Sequence, residues 1–196
     1  MADPGRDRGE RRRHGPRWLR LAAPVVVAAL VLAGAYAWLA RIYTVSTGSM
    51  RPTLETGDRV LTIRIDRDDL RRGDVVVVDV RGSWAQPGSG DEPIVVKRVV
   101  GLPGDRVACC DLDGRVTVDG RSLDEPYLAD HEGGAGFEVV VPEGRLWLLG
   151  DDRANSVDSR DHLGAPAGGS VAVDAVEGRV VAVVWPPVRA IDRPAR

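Results

Sequence analysis

The chain has 196 residues, a formal net charge of −2 and a pI near 5.9, with 43% hydrophobic residues. That length suits one ordinary domain plus an appendage, and the acidic balance argues against a nucleic-acid binder, which is usually basic. The two cysteines are adjacent, the three histidines are scattered, and no C-x-x-C, H-E-x-x-H, P-loop or G-x-G-x-x-G pattern occurs, so neither a metal nor an organic cofactor is expected.

Residues 1–20 read as a basic tail, with seven arginines from Arg6 to Arg20 against Asp3, Asp7 and Glu10. Leu21 to Ala40 comes next and contains no charge. Twenty residues at about 1.5 Å each span roughly 30 Å, the thickness of a bilayer core. The arginines before it place the amino terminus in the cytoplasm and the rest of the chain outside, so the expected localisation is a single-pass cell-membrane protein. A basic region, an apolar stretch and the small-residue sites Ala33-Gly34-Ala35 or Ala35-Tyr36-Ala37 also describe a cleavable signal peptide, and either reading exports the remainder.

Residues 41–196 read as one mainly β domain, short apolar runs alternating with Gly, Pro and Asp. The expected strands are Arg59–Ile65, Val75–Val80, Ile94–Val100, Arg115–Val118, Phe137–Val141, Arg145–Leu149 and Arg179–Trp185. Asp119-Gly120 signals a hairpin turn. Stretches 82–93, 130–136 and 164–169 read as surface loops, and 189–196 as a frayed tail.

Lys97 is the one lysine among 27 basic residues. Arginine keeps its proton in proteins, whereas a buried lysine can lose it. Lys97 sits in Ile94-Val95-Val96-Lys97-Arg98-Val99-Val100, and an apolar setting lowers an amine's pKa. It is a candidate neutral amine, or else simply a strand lysine. Ser49 lies in Thr47-Gly48-Ser49-Met50-Arg51-Pro52-Thr53-Leu54, where Gly48 permits an unusual turn and Pro52 stiffens the chain after it. On its own this is a loop with hydroxyls.

The Ser49–Leu54 segment resembles the S-M-x-P-T-L nucleophile box of type I signal peptidases. Three more boxes occur in that family's order. Gly57-Asp58-Arg59-Val60 is similar to G-D-x-V, and Lys97–Asp105 to K-R-V-x-G-L-P-G-D. Gly150–Arg160 is similar to G-D-N-R-x-x-S-x-D-S-R. Asp119-Gly120, Glu125-Pro126-Tyr127 and Trp185-Pro186 match weaker landmarks.

The resemblance implies a membrane-anchored, antiparallel β-sheet-rich endopeptidase that cuts signal peptides from exported preproteins after A-x-A sites. Ser49 would be the nucleophile and Lys97 the general base, a variant of triad logic. Thr47 and the Ser49 N–H would form the oxyanion hole. Ser156 would orient the lysine, with Asp158 and Arg160 as a supporting ion pair and Gly150 and Asp151 in the same box. Val45, Met50, Leu54 and Val96 would line the pockets for small residues. The implied partners are preproteins, membrane lipid and a secretion translocon.

Asp152 departs from the usual Asn, and its carboxylate is expected to raise the lysine pKa. Cys109-Cys110 is either a disulfide or a pair of packed thiols. His162 would suit Ser-His-Asp chemistry, but no G-x-S-x-G elbow accompanies it. Self-cleaving repressors of the LexA type use a similar dyad but carry a DNA-binding domain in place of a membrane span. The alternative from another class is a non-catalytic, membrane-tethered β domain that binds preproteins.

Overall fold

The computed structural model describes residues 24–29, 34, 40–84, 93–129 and 136–191. The chain divides into two units, Met1–Trp38 and Leu39–Arg196. In the first, residues 24–29 and Gly34 are helical; the rest of the expected anchor up to residue 39, and the basic tail, lie outside the described residues. Among the described residues no helix is long and apolar enough to cross a membrane.

The second unit is antiparallel β throughout its described strands. Its strands are β1 (Ala40–Thr44), β2 (Arg59–Ile63), β3 (Val75–Asp79), β4 (Ile94–Gly101), β5 (Arg106–Cys109) and β6 (Val116–Val118). Next come β7 (Arg121–Ser122), β8 (Phe137–Val140), β9 (Arg145–Leu149), β10 (Val171–Ala172), β11 (Val176–Trp185) and β12 (Arg189–Ala190). One sheet runs in the order β1-β2-β11-β3-β4-β9-β10, with β12 added to β11. The other runs β7-β6-β5-β8. All seven expected strands form, with ends shifted by a few residues. Ala40, the last residue of the expected anchor, opens β1 instead, and Arg189–Ala190 is paired with β11 rather than frayed.

The apolar runs without polar alternation are strands buried on both faces. In β3, Val75 and Val77 pack with Val45, Met50, Leu54 and Val60, while Val76 and Val78 pack with Val99, Leu146 and Leu148. In β9, Leu146 and Leu148 join that second cluster, and Trp147 and Leu149 face a third with Val107 and Phe137. Successive side chains of a strand point to opposite faces, so one valine run supplies two cores. Asp119 and Gly120 take φ values of 51° and 74° in the turn between β6 and β7, as the Asp-Gly signal requires. Cys109 and Cys110 are joined as a disulfide at the end of β5.

Candidate active site

Lys97 lies in β4, opposite Val76 of β3. Its partner strand on the other side, β9, pairs with β4 only from Arg98 to Gly101. Just where that ladder ends, the turn carrying Ser49 and the loop after Gly150 close over the lysine. Lys97 Nζ donates to Ser49 Oγ at 2.8 Å and to Ser156 Oγ at 3.2 Å. Thr47 Oγ1 donates to Ser49 Oγ at 3.3 Å. Ser49, Lys97 and Ser156 are each at most 8% exposed.

Burial lowers the Lys97 pKa from 10.5 to about 8. The Asp158, Asp151 and Asp161 carboxylates oppose this, and the Arg160 guanidinium assists it. Asp152, expected to act on the lysine, accepts instead from Asn155 Nδ2 at 3.0 Å. Its backbone N–H reaches the Ser49 carbonyl at 3.0 Å, so the departure from Asn falls on a residue that grips the Ser49 turn through its main chain.

Gly150 has the tightest surroundings in the site. A Cβ there would collide with the Ser156 side chain and the Ser49 carbonyl, so glycine lets the two serine segments meet. Its N–H donates to Asp158 Oδ2 at 3.0 Å. Asp158 takes Arg160 Nε and Nη2 at 2.9 Å each. Burial alone would raise the Asp158 pKa, but the Arg160 bonds and charge outweigh it and hold the carboxyl below its ordinary value. Asp151 is gripped by Arg98, Nε to Oδ1 at 2.8 Å and Nη2 to Oδ2 at 2.5 Å, with both side chains at most 2% exposed. Thr53 Oγ1 adds a third bond to Asp151, which ties the turn that carries Ser49 to the same carboxylate.

Two supports come from the Glu125-Pro126-Tyr127 landmark, to which the sequence reading assigned no role. Tyr127 lies under Arg98, 3.7 Å from guanidinium carbon to ring centroid, and its hydroxyl donates to Glu125 Oε1 at 2.6 Å. Burial and the adjacent Glu125 charge raise the Tyr127 pKa. Glu125 in turn holds buried Arg153, whose Nε donates to the Gly150 carbonyl at 2.9 Å. The signal was available, since an arginine bound for a core requires a carboxylate, but the sequence does not say which one.

A cleft of about 370 Å³ opens beside Ser49 and Lys97. Val45, Met50 and Val96 line it, together with Tyr43 and Val77. Leu54 does not; it is fully buried among Val60, Val75 and Met50, one layer below.

A hydroxyl held against a buried amine, at the head of an apolar cleft on a β-sheet scaffold, is the arrangement of a serine endopeptidase. The signal peptidase family model, peptidase S26, matches residues 17–185. A signal peptidase I of Bacillus licheniformis is 35% identical over 161 residues, covering 75% of this chain and 78% of its own. A probable signal peptidase I of Mycobacterium leprae is 32% identical, covering 78% and 71%. A signal peptidase I of Bacillus caldolyticus is 32% identical, covering 90% and 94%. Among solved structures, a signal peptidase I from Enterococcus faecalis is similar over 57% of this chain and 96% of that one, at 29% identity and a TM-score of 0.43. The chain belongs to the peptidase S26 family of signal peptidases, the endopeptidases that remove signal peptides from exported preproteins.

Proposed function

We propose that the enzyme cuts preproteins with a Ser49/Lys97 dyad. The observation that carries this is the 2.8 Å bond between Lys97 Nζ and Ser49 Oγ inside a site that pulls the amine's pKa toward neutrality. Neutral Lys97 accepts the Ser49 proton as Oγ attacks the scissile carbonyl. The resulting ammonium then protonates the leaving amine, and water, activated by the same lysine, releases the acyl group from Ser49. The Ser49 N–H and the Thr47 hydroxyl stabilise the oxyanion, a type of contact worth roughly 10²–10³ in rate. Ser156 fixes the amine, Asp158–Arg160 fixes Ser156's loop, and Gly150 and Asp151 join that loop to the nucleophile turn. The half of the cleft lined by Val45, Met50 and Val96 accepts the small residues at −1 and −3.

In this reading residues 21–39 anchor the chain in the membrane lipid, with the tail of residues 1–20 in the cytoplasm and the catalytic domain outside. Tethering raises the local concentration of a cleavage site leaving the bilayer or a translocon. Cleavage of a signal-peptide-bearing preprotein by the detergent-solubilised full chain tests the dyad. Wild type cuts after A-x-A, while Ser49→Ala and Lys97→Arg do not. Cutting by Lys97→Arg would show that no neutral amine is needed. Failure of wild type to cut or to react with a serine-directed acyl probe would leave a preprotein-binding domain.

A further inference from the structure

We propose that the cleft reads a third substrate position, the residue between the two small ones, with a second pocket built on Val95, Trp84, His162 and Val157. The inference rests on the proposed Ser49/Lys97 reading and adds a specificity determinant to it.

β3 pairs with β4 from Ile94 to Arg98, while β9 joins β4 only from Arg98 onward. Among the described residues, the β9-side edge of Ile94–Lys97 therefore has no strand partner, and these residues line the cleft that holds Ser49. A free edge beside a nucleophile receives an extended chain as an added strand.

That cleft has two halves, divided by β4 itself. Val96 packs against the cluster that holds Val45, Met50 and Val77, whereas Val95 packs against the one that holds Val78, Val80 and Trp84. An extended substrate alternates its side chains in the same way. With −1 and −3 in the Val96 half, the −2 side chain turns to the Val95 half.

The far wall of that half is prepared in advance. Trp84 stacks on His162 with ring centroids 5.0 Å apart and planes 14° from parallel. Trp84 Nε1 donates to the Gly169 carbonyl at 2.7 Å. His162 Nδ1 lies 2.8 Å from the Asp158 carbonyl, which can only accept, so Nδ1 carries a proton. Trp84 is buried and acts as a backing, His162 is half-buried, and Val157 is 66% exposed at the rim. Such a flat, fixed, largely apolar wall favours a side chain with apolar extent over none.

The test compares kcat/KM of the detergent-solubilised full chain for substrates ending in Ala-x-Ala, with Gly, Leu or Phe as x. We expect Leu and Phe to exceed Gly by roughly tenfold, the low end for a methylene-sized difference in an apolar pocket because this one is open on one side. His162→Ala should cut the ratio to about twofold or less, and His162→Phe should keep it. A ratio near one in wild type, or an unchanged ratio in His162→Ala, overturns the proposal. If His162→Ala does not fold, the His162 ring-proton resonances of full-length Ser49→Ala decide the matter. They must shift more on binding the Leu substrate than the Gly substrate, and equal shifts overturn the proposal. Failure of the underlying reading looks different, since Ser49→Ala would still cut or Leu would be accepted at −1.

Discussion

Replacing Lys97 with methionine should destroy activity and strengthen the fold. Lys97 is 3% exposed, and the pKa of its amine falls from 10.5 to about 8 on burial. Because the folded pKa is the lower one, the unfolded chain binds more protons between pH 8 and 10.5, and this group's contribution to stability rises with pH through that window. Below pH 8 the lysine is charged in both states and costs the folded state about 3 kcal/mol, at about 1.36 kcal/mol per pH unit. Methionine fills similar volume with no charge to desolvate. It forfeits the bonds to Ser49 and Ser156, each worth about 1 kcal/mol, so the net gain near pH 7 is on the order of 1–3 kcal/mol. In melting temperature that is roughly 2–12 °C for a chain of this size. The assay is thermal unfolding of full-length wild type and Lys97→Met in detergent from pH 6 to 11. The gain should be level up to pH 8, decline above it, and vanish or reverse by pH 10.5. A variant less stable than wild type at pH 7, or a difference that ignores pH, would refute the reasoning.

The acid limb of the activity profile depends on the same pKa. If neutral Lys97 is the base, kcat/KM measured from pH 6 to 10 should climb about tenfold per pH unit and level off above about pH 8. A profile flat through that range would remove Lys97 as the base. Gly150→Ala forces a methyl group against Ser156 and the Ser49 carbonyl. A displacement on the order of 1 Å in the reacting groups should lower kcat/KM by about 10² with little change in substrate affinity. Asp151→Ala leaves Arg98 charged, buried and without its carboxylate. A loss of about 3–5 kcal/mol is expected in urea unfolding.

How far the sequence disclosed this structure depends on whether the controlling contacts are local. The valine run of β3 and the Leu-Trp-Leu-Leu run of β9 were readable because a strand buried on both faces needs no polar alternation. The Asp119-Gly120 turn was readable because few residue pairs accept positive φ at both positions. By contrast, β7, β10 and β12 are two residues long and exist only because a neighbouring strand is there to pair with. Trp84 sits in a stretch that reads as a glycine- and proline-rich loop, yet its partners are His162 and the Gly169 carbonyl, contributed from far along the chain. The Arg98–Asp151 and Glu125–Arg153 pairs span 53 and 28 residues, and each arginine had several carboxylates to choose from. Leu54 illustrates the converse error, for proximity to Ser49 in sequence placed it in the pocket while packing placed it in the core.

The buried charges explain why the lysine stands apart from the arginines. Arg98, Arg153 and Arg160 each enter the interior with a carboxylate in direct contact, namely Asp151, Glu125 and Asp158. A planar guanidinium suits that pairing and stays charged within it. Lys97 is buried to the same degree, but its hydrogen bonds go to two hydroxyls, and Asp158 acts on it from beyond direct contact. A carboxylate in contact would hold the amine charged and useless as a base. With no counter-charge nearby, the amine would approach the pKa of an unpaired buried lysine, near 5–6, too weak a base to take a serine proton. Committing Asp158 to Arg160 leaves the lysine between these limits, at about 8. If Lys97 is the base, the Asp158–Arg160 pair does more than hold a loop in place: it sets how much negative potential reaches the amine, and with it the pH at which the site works.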